Sequence, residues 1–485
     1  MLNIDQLEQE LLYFSPMKWL LSLGRIILIL PGLFFSVASY AQGHLVTQNL
    51  AVKFNSVIPK DFENFPVYLR QYFVPESWVR VYKDEFIGSA WDDFIQQSDR
   101  PGMVRILVHP FDNLTAGKIE SLLKKNGLRY LPYDYKVAFF LTESRSLYPV
   151  ARTPNAPLAS PRLSMTNGFG KWGGSQKDID VFGNDNGVEY SKLISPLKAL
   201  FAFEVSKVLQ NKLNGTSGEF FEIQPDRMVV TVVSPDQSFS MGETFRDIES
   251  VLDKDHYSVP GFVNHDPRGG LLLALANGQS NIYDYLVNIE APLRGRALAE
   301  FYALTGLVHS SPHSQNFLTK TDLQFKSTGR VTIRDLADLV PTPESRVSDP
   351  KIEELFQKYQ NERPTLLDEG IAGNQDTFVF RHSFSKGNDL ILGHDQEQAA
   401  DRAVLNYFIE HLAKMSAVST AKILSISVFD LSGSYAQVTL SKRSAVWQEI
   451  QLGLMAYKNS AFTGKSVSIE KASKYLEPPG FLRSL

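Results

Sequence analysis

Apolar residues along the chain follow two rhythms, and the switches between them mark the elements. Residues 104–108 (Val-Arg-Ile-Leu-Val) predict a strand. Residues 115–125 set Ile119, Leu122 and Leu123 on one helical face, and Asn126-Gly127 stops the pattern. Residues 136–141 predict a second strand, so the succession is that of a small α/β module. Four prolines within 148–162 mark a linker or an extended approach to the next domain. A helix predicted over 197–213 aligns Leu200, Phe201, Val205, Val208 and Leu209, and residues 228–233 form a β-branched strand. A further helix over 293–304 stacks Leu293, Ala297, Leu298, Phe301 and Tyr302, with Gly306 in the C-cap position. Then come a strand at 317–319, a turn at 326–329, a strand at 331–333 and an acidic loop, with a boundary at Pro341 and Pro343. The remainder is mostly helical (397–414, 445–458), with strands near 377–381, 423–428 and 435–440. The reading is a multi-domain α+β (mixed α/β) protein: an α/β module at 42–155, a core at 156–345 and a largely helical region at 346–485.

The N-terminus follows a different rule. From Met17, Lys18 and Arg25 supply positive charge, residues 26–37 carry none, and Ser39-Tyr40-Ala41 puts small residues at −3 and −1 before Gln42. This is the signal-peptide pattern, so residues 1–41 are expected to be removed and the protein exported, periplasmic or secreted. Cleavage after Ala38 satisfies the same pattern, and the acidic stretch before Met17 makes Met17 the expected start. The apolar run is short for a bilayer span of roughly 20 residues. No stable membrane insertion is therefore expected once the segment is cleaved.

Composition narrows the chemistry. With 43% hydrophobic and 21% charged residues in 485, the chain can fill globular cores. It has no cysteine, which excludes disulfides, thiolate metal sites and cysteine nucleophiles. A net charge of −4 argues against a nucleic-acid partner, because phosphate backbones select a surplus of Lys and Arg.

One constellation stands out. His313-x-x-Asn316 precedes the predicted hairpin, and Asp335 follows it, 19 positions after Asn316. A hairpin there returns Asp335 to the side of Asn316. An amide oxygen with a carboxylate is a hard-oxygen pair suited to Mg²⁺ beneath nucleotide phosphates. Upstream, residues 164–187 are rich in glycine, and Lys171 or Lys177 can reach phosphates there, although glycine clusters more often merely mark a surface loop. His309 and His313 are four apart, but Pro312 breaks the helix a zinc pair needs. No G-x-S-x-G elbow is present.

The order helix, Pro-His-Ser-Gln-Asn, strand, turn, strand, Arg-Asp resembles the C-terminal part of the NRPS-independent siderophore synthetases, the aerobactin-synthetase-like family. That resemblance implies a kinase-like palm and ATP and Mg²⁺ as cofactors. It also implies a small-molecule carboxylic acid adenylated and then coupled to an amine or alcohol. By it, His313 is the catalytic, phosphate-binding residue, Asn316 and Asp335 the metal ligands, and Ser164, Thr166 and Lys171 part of the nucleotide site. The family's motif Glu falls at Ser311, which removes one metal ligand. The alternative is a non-catalytic secreted or periplasmic binding protein on a degenerate enzyme scaffold.

Overall fold

The computed structural model describes residues 67–85, 101–108, 113–128, 133–141, 147–149, 159–162, 188–247, 255–265, 267–360, 369–384 and 392–463. The expected targeting segment at 1–41 and the Gly-rich stretch with Ser164, Thr166 and Lys171 lie outside these residues.

The α/β module contains the three expected elements as Met103–Val108, Asn113–Lys125 and Tyr133–Leu141. The two strands do not pair with each other. Val67–Pro75 lies between them, antiparallel to both, with Tyr72 opposite Ile106 and Val67 opposite Phe139. Ile119 and Leu123 of the helix share a core with Tyr72, Val74, Val104 and Ile106.

A second antiparallel sheet, in the order Val79–Lys83, Asp226–Val233, Ser240–Asp247, Ala159–Arg162, contributes Met228, Val230, Val232, Met241 and Phe245 to that same core. Its other side meets the long helix Val188–Leu213, where Val229 packs with Ala199 and Phe203. Every residue of Ser240–Asp247 is buried, because both faces of the strand are covered.

The largest core takes residues from Phe201 through Leu454. At its centre runs the helix Ala291–Thr305, buried at every position but Arg296 and closed by Gly306 in the left-handed region (φ 74°). One side of this helix faces the sheet His256–Pro260, Phe317–Asp322, Ser327–Ile333, Phe221–Ile223, with Phe301 edge-on to Phe221 at 5.3 Å. The helices His394–Ser416 and Ala445–Thr463 and the sheet Thr377–His382, Ala436–Ser441, Ser427–Asp430 complete the same core. Pro341 ends the short strand Leu339–Pro341, and Pro343 opens the helix Pro343–Ser348 under a Thr342 cap.

Two local expectations are corrected. The strand expected near 423–428 is a helical turn, Thr420–Ser425, followed by the strand Ser427–Asp430. The Ser419 side chain accepts from Lys422 N–H, and this cap overrides the β-branched pattern behind it. The hairpin turn lies a few residues earlier than 326–329. Asp322 accepts from the backbone N–H groups of Gln324 and Lys326 and fixes the reversal there, with Phe325 at φ 63°.

Candidate functional site

The candidate site forms where the central helix runs out. After Gly306 the chain makes the short strand Leu307–His309, paired antiparallel with Leu339–Pro341. His309 Nδ1 accepts from Ser311 N–H at 3.1 Å, so Nε2 carries the proton and donates to the Arg334 carbonyl at 3.1 Å. Burial, opposed by nearby Asp338, holds this imidazole below its ordinary pKa. Both ring nitrogens are thus committed, and His309 braces the loop.

His313 has extended backbone (φ −108°, ψ 166°) and leads into the single turn Ser314–Asn316. It bridges Ser383 in parallel, and Ser383 N–H donates to the Pro312 carbonyl. Its side chain is buried, as is that of Asn316. Asn316 Nδ2 donates to the Ser311 carbonyl at 2.7 Å, which fixes the amide plane. The hairpin follows with Phe317 opposite Ile333, and Arg334 N–H donates to the Asn316 carbonyl at 3.1 Å. Asp335 therefore sits one residue past the position facing Asn316. His313, Asn316 and Asp335 are brought to one end of one hairpin.

Asp335 adopts a left-handed conformation (φ 60°, ψ 51°), uncommon for a residue with a Cβ. Its Oδ1 accepts from Arg246 Nη2 at 3.4 Å, and the same guanidinium lies 3.5 Å from Asp226 Oδ1. Arg246 and Asp226 are buried on neighbouring strands. On the same loop Asp338 pairs at 3.4 Å with Lys198 of the helix Val188–Leu213. None of these four partners carries a motif. They come from a helix, two strands and the loop itself, and only tertiary packing gathers them.

Beneath the turn is a buried polar network that no sequence motif announces. Arg294, on the central helix, bonds Glu290 at 3.0 Å and donates from Nη1 to the Ser314 hydroxyl at 3.1 Å. Glu290 accepts in turn from Tyr285 and Thr319. Arg294 Nη1 also lies 3.4 Å from His382 Nε2, while His382 Nδ1 lies 2.8 Å from Asp401. A guanidinium can only donate, so Nε2 accepts and Nδ1–H donates to the Asp401 carboxylate. Burial first, then the charges of Arg294 and His313, push His382 well below the ordinary imidazole range and keep it neutral. A Cβ at Gly261 would lie 2.4 Å from Arg294 Nη2, so that position accommodates only hydrogen. A two-residue signal for this network exists, since a Glu-x-x-x-Arg pair inside an apolar stretch has to be buried with its charges matched.

Among the described residues no group of three or more His, Asp or Glu is placed to hold a metal ion. The pair Asn316 and Asp335 offers two hard oxygen donors, which fits Mg²⁺, a cation that keeps several waters and takes one or two protein ligands. At position 311 the side chain is a serine, 3.3 Å from the Tyr435 hydroxyl. No helix among the described residues is long and apolar enough to cross a membrane.

Fold and site together define an α+β protein with a His-x-x-Asn turn and an Asp at the mouth of one hairpin. The sequence matches no family model and no curated protein. Among solved structures, the fold is similar to the petrobactin biosynthesis protein AsbB from Bacillus anthracis str. Sterne. There the identity is 14% and the TM-score 0.49, over 81% of this chain and 71% of that one. It is also similar to aerobactin synthetase IucC from a hypervirulent pathotype of Klebsiella pneumoniae, at 13% identity and TM-score 0.44, over 73% of this chain and 64% of that one. ATP-bound aerobactin synthetase IucA from the same pathotype matches at 12% identity and TM-score 0.42, over 73% and 63%. The likeness to siderophore synthetases is weak, and the chain spans under two thirds of the two aerobactin synthetases.

Proposed function

We propose that this chain binds a magnesium–nucleotide complex at the 313–316 turn and is an ATP-dependent ligase or kinase-like transferase acting on a small-molecule substrate. The observation that supports the reading is the hairpin register, which sets Asp335 one residue past the position facing Asn316, at the hairpin end where the 313–316 turn enters. Asn316 and Asp335 would hold Mg²⁺, whose charge would offset that of the phosphates. His313 would contact phosphate, and Ser164, Thr166 and Lys171 would complete the nucleotide site. Export, with residues 1–41 removed, belongs to the same proposal and is tested by the N-terminal mass of the protein recovered outside the cytoplasm.

A second reading has its own support. Arg246 reaches Asp335 and so supplies a fixed positive charge where a cation would sit. That arrangement favours a binding protein on a degenerate enzyme scaffold. Thermal unfolding of the purified protein separates the two. The enzyme reading expects the midpoint to rise with ATP and Mg²⁺, by the equivalent of about 2.7 kcal/mol at a hundredfold excess over Kd. The rise should vanish with EDTA and in Asp335→Ala. A rise that survives EDTA, or no rise at all, favours the second reading.

A further inference from the structure

At the other end of the Leu307–His309 strand lies a second feature, well separated in sequence from the 313–316 turn. Side chains from the ends of Val188–Leu213 and Ala291–Thr305 and from the helix Ala445–Thr463 line a cavity of about 90 Å³. That is room for several waters or for one group of a few heavy atoms, and too little for a nucleotide.

The charges around the cavity do not balance. Lys212 is paired with Asp349 at 2.8 Å, and Glu344 with Lys442 at 2.8 Å. Lys458 also lines the cavity, half-buried, and forms no ion pair or hydrogen bond with any described residue. The hydroxyls of Thr305, Thr342 and Ser345 give their protons to backbone carbonyls, so they present lone pairs only. The Tyr302 hydroxyl differs. It accepts from Gln451 Nε2 at 3.2 Å, and its own proton goes to no described residue. An ammonium and a phenol proton, both without acceptors among the described residues, thus share a partly open pocket with one surplus positive charge.

We infer that this cavity is a binding site for a small oxyanion group, a carboxylate or a phosphate, held by Lys458 and Tyr302. A ligand there must only accept hydrogen bonds, carry negative charge and be a few atoms across, and an oxyanion meets all three conditions. Burial foremost, and then the neighbouring Lys212, bring the Lys458 pKa down to about 8, with Asp349 acting in the opposite sense. A bound anion favours the charged ammonium and raises that pKa, so binding near pH 8 takes up a proton.

Calorimetric titration of the full-length protein with inorganic phosphate and, separately, with acetate tests the site. At pH 6.5 at least one of the two is expected to bind with a Kd below about 10 mM, and the tighter of them names the source of the oxyanion. Acetate does not titrate near pH 8, so its binding heats in buffers of different ionisation enthalpy should reveal uptake of about half a proton there. Above pH 8 the affinity is expected to fall about tenfold per unit. Lys458→Met should weaken binding at least about tenfold and abolish the proton uptake. Tyr302→Phe, which keeps the ring, should weaken it about threefold and serves if the lysine variant does not fold. Absence of binding by both anions at pH 6.5 would overturn the inference, as would affinity unchanged in the two variants or binding without proton uptake.

Discussion

Arg294 shows how much of the site depends on a residue that never touches solvent. Its guanidinium bonds Glu290, the Ser314 hydroxyl and His382 at once, so it ties the central helix to the 313–316 turn and to the C-terminal sheet. Replacing it with methionine leaves Glu290 buried and unpaired. Arg294→Met is expected to cost about 3–5 kcal/mol in chemical unfolding, and Glu290→Gln in the same chain to recover a good part of that. Equal stability of the single variant and the wild type would refute the pairing. At this scale the sequence was partly legible. His313, Asn316 and Asp335 can be assembled on paper because a hairpin of known length returns the chain to its start. Arg246, Asp226, His382 and Asp401 cannot, since each is an ordinary residue until a neighbouring sheet or helix arrives.

The elements divide along the same line. Helices predicted over 197–213 and 293–304 stand out from their spacing alone, and both are found, the second closed by Gly306. A strand of mainly polar residues buried on both faces does not. Ser240–Asp247 reads as polar yet is fully covered, with its Arg246 and Asp247 side chains held in ion pairs. The helical turn at Thr420–Ser425 was decided by one serine cap, a signal that apolar periodicity hides. The close approach of helices is another feature that only packing exposes. A Cβ at Gly453 would lie 1.9 Å from the Ser416 carbonyl oxygen, and one at Gly295 would lie 2.6 Å from Tyr407 Cβ. His394–Ser416 is thus flanked by a glycine contact on either side. Gly453→Ala must push two helices apart, and a loss of about 1–3 kcal/mol in urea-induced unfolding is expected. A variant as stable as the wild type would show that the crossing is looser than this.

Across the whole molecule, the α/β module and the second sheet are joined by a shared apolar core and by one buried acid. Glu243 points into that core between Met241 and Phe245, and its Oε1 accepts from Leu107 N–H at 2.8 Å. Its Oε2 makes no hydrogen bond among the described residues. Burial raises its pKa well above the ordinary carboxylate value, and the bond from Leu107 offsets this only in part. With the folded value above the unfolded one, the group adds stability in acid, below about pH 4.3, and gives it up as pH rises through the raised value. Glu243→Gln is therefore expected to be more stable than the wild type at pH 8, with the advantage disappearing towards pH 4. An advantage of the same size at both pH values would show that charge is not its cause.

The central claim is that Asn316 and Asp335, adjacent at the mouth of one hairpin, share a divalent cation beneath bound phosphates. Electron paramagnetic resonance of Mn²⁺ titrated into the purified protein, with and without ATP, reads that cation directly. Binding of one Mn²⁺ per chain that requires ATP, and weakens at least about tenfold in both Asn316→Ala and Asp335→Ala, is the predicted result. Mn²⁺ binding that ignores ATP, or that both variants retain at full strength, would contradict it.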